Sequence, residues 1–140
     1  MATQSGESLL YERESYILRG ACFDLYKNFG GAFKESIISK ALVAELEHRD
    51  LQVEIQKRIT ITHRGQKVGT YVPDMIIEDK ILVELKVKPF LTQEDERQFW
   101  YYLRGSDYKL GFLINFGSRR LQIKRRVYDK ARKLYPRKSA

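Results

Sequence analysis

Asp74, Glu84 and Lys86 are the residues whose types and spacing could do chemistry in this chain. They interrupt a largely apolar stretch over residues 68–88, VGTYVPDMIIEDKILVELKVK, which reads as two strands joined by a polar turn at Glu78-Asp79-Lys80. Side chains alternate along a strand, so Glu84 and Lys86 share one face while Val83, Leu85 and Val87 take the other. A three-residue loop centred on Asp79 sets position 74 opposite position 84, and opposed residues on antiparallel strands project to the same side. A two-residue loop would pair 74 with 85 instead. The turn offers no Gly or Asn for the positive φ angles of two-residue hairpins, which favours the longer loop. On that register two carboxylates and an ammonium converge on one patch.

Charges within strands are costly unless they are paired or bound to a metal. The plain alternative is a salt bridge of Lys86 with Asp74 or Glu84, facing solvent at a sheet edge. The chemical alternative is ligation by carboxylates and water, which suits Mg²⁺ or Mn²⁺, ions that take few protein oxygens and keep several waters. An ion held there would polarise a phosphodiester oxygen and help to generate hydroxide. Lys86 would orient the attacking water or stabilise developing charge.

The elements that must position these residues follow from hydrophobic periodicity. Leu10, Ile17, Leu18, Ala21, Leu25 and Phe29 recur at helical spacing over residues 9–29, and Gly30-Gly31 stop the helix. A second helix is predicted over residues 33–48, with Phe33, Ile38, Ala41, Leu42 and Leu46 as its apolar stripe. Glu35 falls on or beside that buried face, either as an acid favoured at a helix start or as a further acid for the strand patch. Alternation at Val53, Ile55, Ile59 and Ile61 predicts one strand over residues 51–62, with Arg64-Gly65-Gln66 as the turn after it. After Pro89, Thr92 is a natural N-cap for a helix opening with Glu94, Asp95 and Glu96, and Gly105 ends it. Gln98 and Tyr102 lie one turn apart on it. YKLGFLINF, residues 108–116, suits a strand covered on both faces, and residues 121–127 a short strand before a basic helix over 128–134.

The Pro73-Asp74, Glu84-Leu85-Lys86 pattern resembles the PD-(D/E)XK nuclease superfamily, and Gln98 to Tyr102 (QFWYY) resembles the Gln-x-x-x-Tyr element of its RecB-like members. More closely, the chain is similar to the small bacterial and archaeal GxxExxR family, over a run from about Arg13 to Arg126. The stretches that carry this resemblance are FKESIISKALVAEL, the Val68-Gly69 turn with its following Asp74, KILVELK, QFWYYL and KLGFLINFG. The resemblance implies a mixed α/β (α+β) fold with the restriction-endonuclease-like core, a four-stranded mixed sheet flanked by helices. It also implies Asp74 and Glu84 as metal ligands, Lys86 as the catalytic lysine, Glu35 as the helix acid and Gln98 as an auxiliary active-site residue. Tyr102 would support Gln98 or the substrate. Two positions depart from the pattern: Ala32 stands where a glycine is usual three residues before the helix acid, and Val72 where a basic residue usually precedes the strand Asp.

Charge supplies a partner. Residues 119–138 hold ten basic residues and one acid, a local balance of +9 that exceeds the net +8 of the whole chain. A clustered basic segment is the footprint of a phosphate-rich partner, with Arg119, Arg120, Lys124, Arg125 and Arg126 as its leading contacts, though it could equally be a solubilising tail. Length and composition fit one domain over 1–140, with residues 1–8 expected to be disordered. Cys22, the lone cysteine, reads as a small core hydrophobe, and His48 and His63 as surface residues. No apolar run is long enough to span a bilayer and no secretory pattern opens the chain, so a cytoplasmic protein without a membrane partner is expected. The leading expectation is a Mg²⁺-dependent nuclease acting on DNA, with a homodimer as one way to hold a duplex. The alternatives are a nucleic-acid-binding module of the same fold without turnover, and a scaffold protein assembling through its aromatic helix.

Overall fold

The computed structural model describes residues 10–129 of the chain. The expected disorder of residues 1–8 and most of the expected basic helix over 128–134 lie outside them. Three helices, α1 (Glu12–Phe29), α2 (Glu35–His48) and α3 (Gln93–Gly105), enclose a mixed sheet. Its strands are β1 (Val53–Glu54), β4 (Met75–Ile77), β5 (Ile81–Lys86), β6 (Leu110–Asn115) and β7 (Gln122–Val127), in the order β1-β4-β5-β6-β7. The β5–β6 pair is parallel and the others are antiparallel. The expected mixed sheet flanked by helices is present, with the two-residue β1 as a fifth strand at one edge.

Two expected strands are each divided between this sheet and a separate hairpin. The stretch 51–62 breaks after Glu54, where Ile55 is exposed and Gln56 takes a positive φ of 59°. Val53 and Glu54 join β4, while β2 (Ile59–His63) leaves to pair with β3 (Gln66–Tyr71). The next stretch breaks at Val72-Pro73-Asp74, because proline has no N–H to continue a ladder. The chain therefore passes from the hairpin into the centre of the main sheet immediately before the site.

The alternation of β5 sends its two faces to different layers. Ile81, Val83 and Leu85 join Met75, Ile77, Leu110, Phe112 and Ile114 beneath α1 and α2, against Leu18, Ala21, Leu25, Ile38, Leu42 and Leu46. Cys22 is fully buried among them, as expected for a small hydrophobe. The opposite face carries Ile76, Leu82 and Leu113 against Phe99 of α3 and against Ile59 and Tyr71 of the hairpin. Glu84 and Lys86 fall on this second face, two and four residues after Leu82.

Helix α3 starts with a capping box: Thr92 Oγ1 accepts the Asp95 N–H at 3.0 Å and Asp95 accepts the Thr92 N–H at 2.9 Å. The helix lies close on β6, since a Cβ added at Gly111 would stand 2.7 Å from the Phe99 ring. Among the described residues, no helix is long and apolar enough to cross a membrane.

Candidate active site

The β4–β5 register is the one expected from the turn. Met75 pairs with Val83, Ile76 with Leu82 and Ile77 with Ile81, so Asp74, one residue before β4, stands opposite Glu84. The reason differs from the expectation. Glu78 and Asp79 both adopt positive φ, 53° and 51°, although neither is Gly or Asn. Their conformation is held from outside the turn: Gln52 exchanges hydrogen bonds with Glu78, and Asp79 accepts from Lys57 and from the Tyr108 hydroxyl.

Asp74 and Glu84 fix each other through the backbone. Asp74 Oδ2 accepts the Leu85 N–H at 2.7 Å, and Glu84 Oε1 accepts the Asp74 N–H at 3.2 Å. The Tyr71 hydroxyl donates to the same Glu84 oxygen at 3.0 Å. Asp74 Oδ1 and Glu84 Oε2 take no hydrogen bond from a described residue, and neither is among the fully buried orphaned atoms.

The electrostatics follow from crowding two acids in a half-buried place. Desolvation and the Asp74 charge push the Glu84 pKa up to about 7, against the opposing hydrogen bonds of Tyr71 and the Asp74 amide and the charge of Lys86. Desolvation likewise raises Asp74, opposed by the Leu85 amide and by Lys86. Burial and the Glu84 charge keep the Tyr71 hydroxyl protonated, so it acts as a donor. Among the described residues Lys86 is in no ion pair, so the plain alternative, a salt bridge with Asp74 or Glu84, does not form, and Lys86 lines the cleft.

Glu35 is the first residue of α2, so it is both the helix-start acid and a neighbour of the patch. Partial desolvation and the Asp74 charge raise its pKa while Lys86 lowers it, although the side chain stays exposed. It therefore sits at the outer rim, within electrostatic reach of both. From α3, Gln98 and Tyr102 line the cleft together with Tyr71, Glu84, Lys86 and Asp95. The Tyr102 ring stacks on Tyr71, with centroids 3.9 Å apart and planes at 3°. The Asp95 carboxylate is committed to Thr92 and to Lys88, 2.7 Å away.

Tyr71 is the site residue that sequence reasoning missed. Its signal was its place two residues before Pro73, at the end of an alternating strand. Asn115 was missed as well. Fully buried, it accepts the Lys88 and Gly117 N–H groups and donates to the Lys88 carbonyl and to Gln122, clamping the chain that leaves β5.

The described basic residues near the C-terminus are not all gathered at the site. Arg126 is paired with Glu96 at 2.8 Å, and Arg125 lies on the α1 side, where burial and Arg19 lower its pKa. Lys124 pairs with Leu113, which pairs with Glu84, so it shares a cross-sheet row with the two acids. Arg119 and Arg120 are exposed in the turn after β6, at the end of the sheet where Lys86 lies.

A profile of the PD-(D/E)XK nuclease superfamily matches residues 12–126. The chain belongs to the PD-(D/E)XK nuclease superfamily. Searches of curated proteins and of solved structures returned no significant match. Pro73-Asp74 and Glu84-Leu85-Lys86 supply the residues after which this superfamily of metal-dependent nucleases is named. Among the described residues no group of three His, Cys, Asp or Glu side chains could hold a metal ion. The Asp74–Glu84 pair still fits Mg²⁺, which is commonly bound through one or two carboxylates with water and substrate phosphate filling the remaining positions. Each acid keeps one oxygen free of protein hydrogen bonds, and both are crowded enough to favour a neighbouring cation.

Proposed function

We propose that this superfamily member is a divalent-metal-dependent nuclease that hydrolyses phosphodiester bonds of DNA, and that it falls in the GxxExxR branch. The observation that carries this reading is the mutual clasp of Asp74 and Glu84, with Lys86, in no ion pair among the described residues, beside it. Asp74 and Glu84 would hold Mg²⁺ (or Mn²⁺), which when bound supplies Lewis-acid polarisation of the phosphate and a more acidic water.

The remaining work falls to the chain's own groups. Lys86 donates to the attacking water or to a phosphate oxygen, where negative charge builds up as the bond is made. Tyr71, kept protonated, holds the Glu84 carboxylate in place. Gln98 offers amide groups to the phosphate from the facing helix, and Tyr102 is braced for the same wall by its stack on Tyr71. Glu35 holds water at the rim. Lys124, Arg119 and Arg120 would contact the flanking backbone. A second copy of the chain is the natural partner where both strands of a duplex must be held, and the cytoplasm is the expected compartment.

Cleavage of linear and circular DNA, single- and double-stranded, with Mg²⁺ or Mn²⁺ tests this directly. Lys86→Ala should slow metal-dependent cutting by at least about a hundredfold while leaving DNA binding intact. DNA binding without cutting by either protein would replace the enzyme with a binding module. Absence of both would remove the nucleic-acid reading.

A further inference from the structure

Of the four consecutive aromatics of α3, Phe99 packs on the sheet and the other three have different fates. Trp100 packs edge-on against Tyr128, with centroids 5.6 Å apart. Tyr102 is stacked on Tyr71. Tyr101 is 58% exposed and has no ring partner among the described residues. It stands over an open recess of about 340 Å³, lined by Glu94, Arg97, Gln98, Tyr101 and Tyr102. Spacings of three and four place these residues on one continuous helix face. Gln98 and Tyr102 also line the cleft that holds Glu84 and Lys86, so recess and cleft share a wall. Arg97 is in no ion pair with a described residue, leaving its planar cation available beside the ring.

We infer that this recess on α3 receives an unpaired nucleobase of the substrate, stacked on Tyr101 and flanked by Arg97, next to the phosphate held in the cleft. The inference rests on the nuclease reading above and specifies its substrate class: a single strand, or a duplex with a single-stranded end. Continuity decides the occupant. Because Gln98 and Tyr102 line both spaces, a polynucleotide whose phosphate enters the cleft presents its adjoining nucleotide to the recess, and the part of it that binds an aromatic face is a base. A paired base in a continuous duplex has both faces covered by its neighbours and cannot stack on a side chain. Arg97 can contact the acceptor edge of the base or its 5′ or 3′ phosphate, and the Glu94 carboxylate can accept from an exocyclic amine.

The test uses the full chain carrying Lys86→Ala, so that the substrate survives. Single-stranded oligonucleotides with a terminal dye, each carrying one 2-aminopurine at successive positions, report overall binding by anisotropy and base stacking by quenching. The expected result is quenching at a restricted position. Tyr101→Ala and Tyr101→Leu should abolish it and weaken single-strand binding by about five- to a hundredfold. Tyr101→Phe should preserve both, and blunt duplex binding should be unchanged in all three. Circular dichroism on each variant confirms the fold, with the leucine variant keeping apolar bulk without a ring. Quenching that persists in both ring-less variants overturns the inference, as does equal weakening for single strand and blunt duplex. Binding without position-specific quenching removes the base recess and leaves the nucleic-acid reading standing. No binding of any oligonucleotide removes both.

Discussion

Glu84 carries the most perturbed carboxylate of the site, with its pKa raised from an ordinary 4.5 to about 7 by desolvation and then by Asp74. A carboxyl whose pKa is higher in the folded than in the unfolded chain favours folding less as it ionises. Without divalent ions, the Glu84 contribution should therefore make the protein less stable as pH rises from about 4.5 to about 7, by up to a few kcal/mol. Urea unfolding in chelator at pH 5 and pH 8 measures this, and Glu84→Gln should flatten the difference. A cation that binds only the folded state shifts the balance the other way by mass action. Mg²⁺ should thus raise the melting temperature at pH 8, and Asp74→Asn should remove that rise. Equal stabilisation of wild type and Asp74→Asn would mean that the ion binds elsewhere. The sequence exposed Asp74, Glu84 and Lys86 because charges inside apolar strands are conspicuous. Tyr71 was not conspicuous, since a tyrosine ending a strand looks like any half-buried aromatic until its hydroxyl has a partner.

Helix α3 was legible as an element because its signals are local: the Thr92 cap, three acids in the first turn, and the one-turn spacing of Gln98 and Tyr102. Its seat on the sheet was not. That depends on Gly111, in another element, leaving room for Phe99. Substitutions at the two places should separate helix stability from helix placement. Thr92→Ala should cost about 1 kcal/mol by thermal or urea unfolding while leaving turnover at low temperature intact. Gly111→Val must push Phe99 and α3 outward, costing about 1–3 kcal/mol and lowering turnover at every temperature, because Gln98 moves with the helix. Similar turnover for the two variants would show that the position of Gln98 on α3 is not critical. The divided strands teach the same distinction. Alternation over 51–62 singled out Ile59, which is buried, but also Ile55, which is exposed, and it did not show that each stretch changes sheets, at Gln56 and at Pro73.

Across the whole molecule, positive charge is distributed in a way that composition did not reveal. Arg126 is consumed by Glu96, from a helix thirty residues earlier, and Arg125 faces α1 rather than the cleft. Lys124 shares a sheet row with the acids, and Arg119 and Arg120 are exposed at the sheet end where Lys86 lies. Residues 130–140, outside the described residues, add five further basic residues. If the segment contacts phosphates, truncation after Asp129 should keep the melting transition and reduce the slope of log Kobs against log salt. Fluorescence titration of an oligonucleotide from about 50 to 200 mM salt measures it. An unchanged slope would assign the segment to solubility instead.

What the sequence determined by itself was local or periodic. Alternation put Glu84 and Lys86 on one face, a three-residue loop set Asp74 against Glu84, capping residues started α3, and a motif of five residues pointed to the superfamily. These depend on neighbours in the chain, where bond geometry fixes spacing. Only the tertiary structure decided the stack of Tyr102 on Tyr71, the hydroxyl that holds Glu84, the Asn115 clamp behind β5 and the separate fates of Trp100, Tyr101 and Tyr102. Each of these turns on which element packs against which, and side chains from distant segments find one another only when the core has brought their elements together.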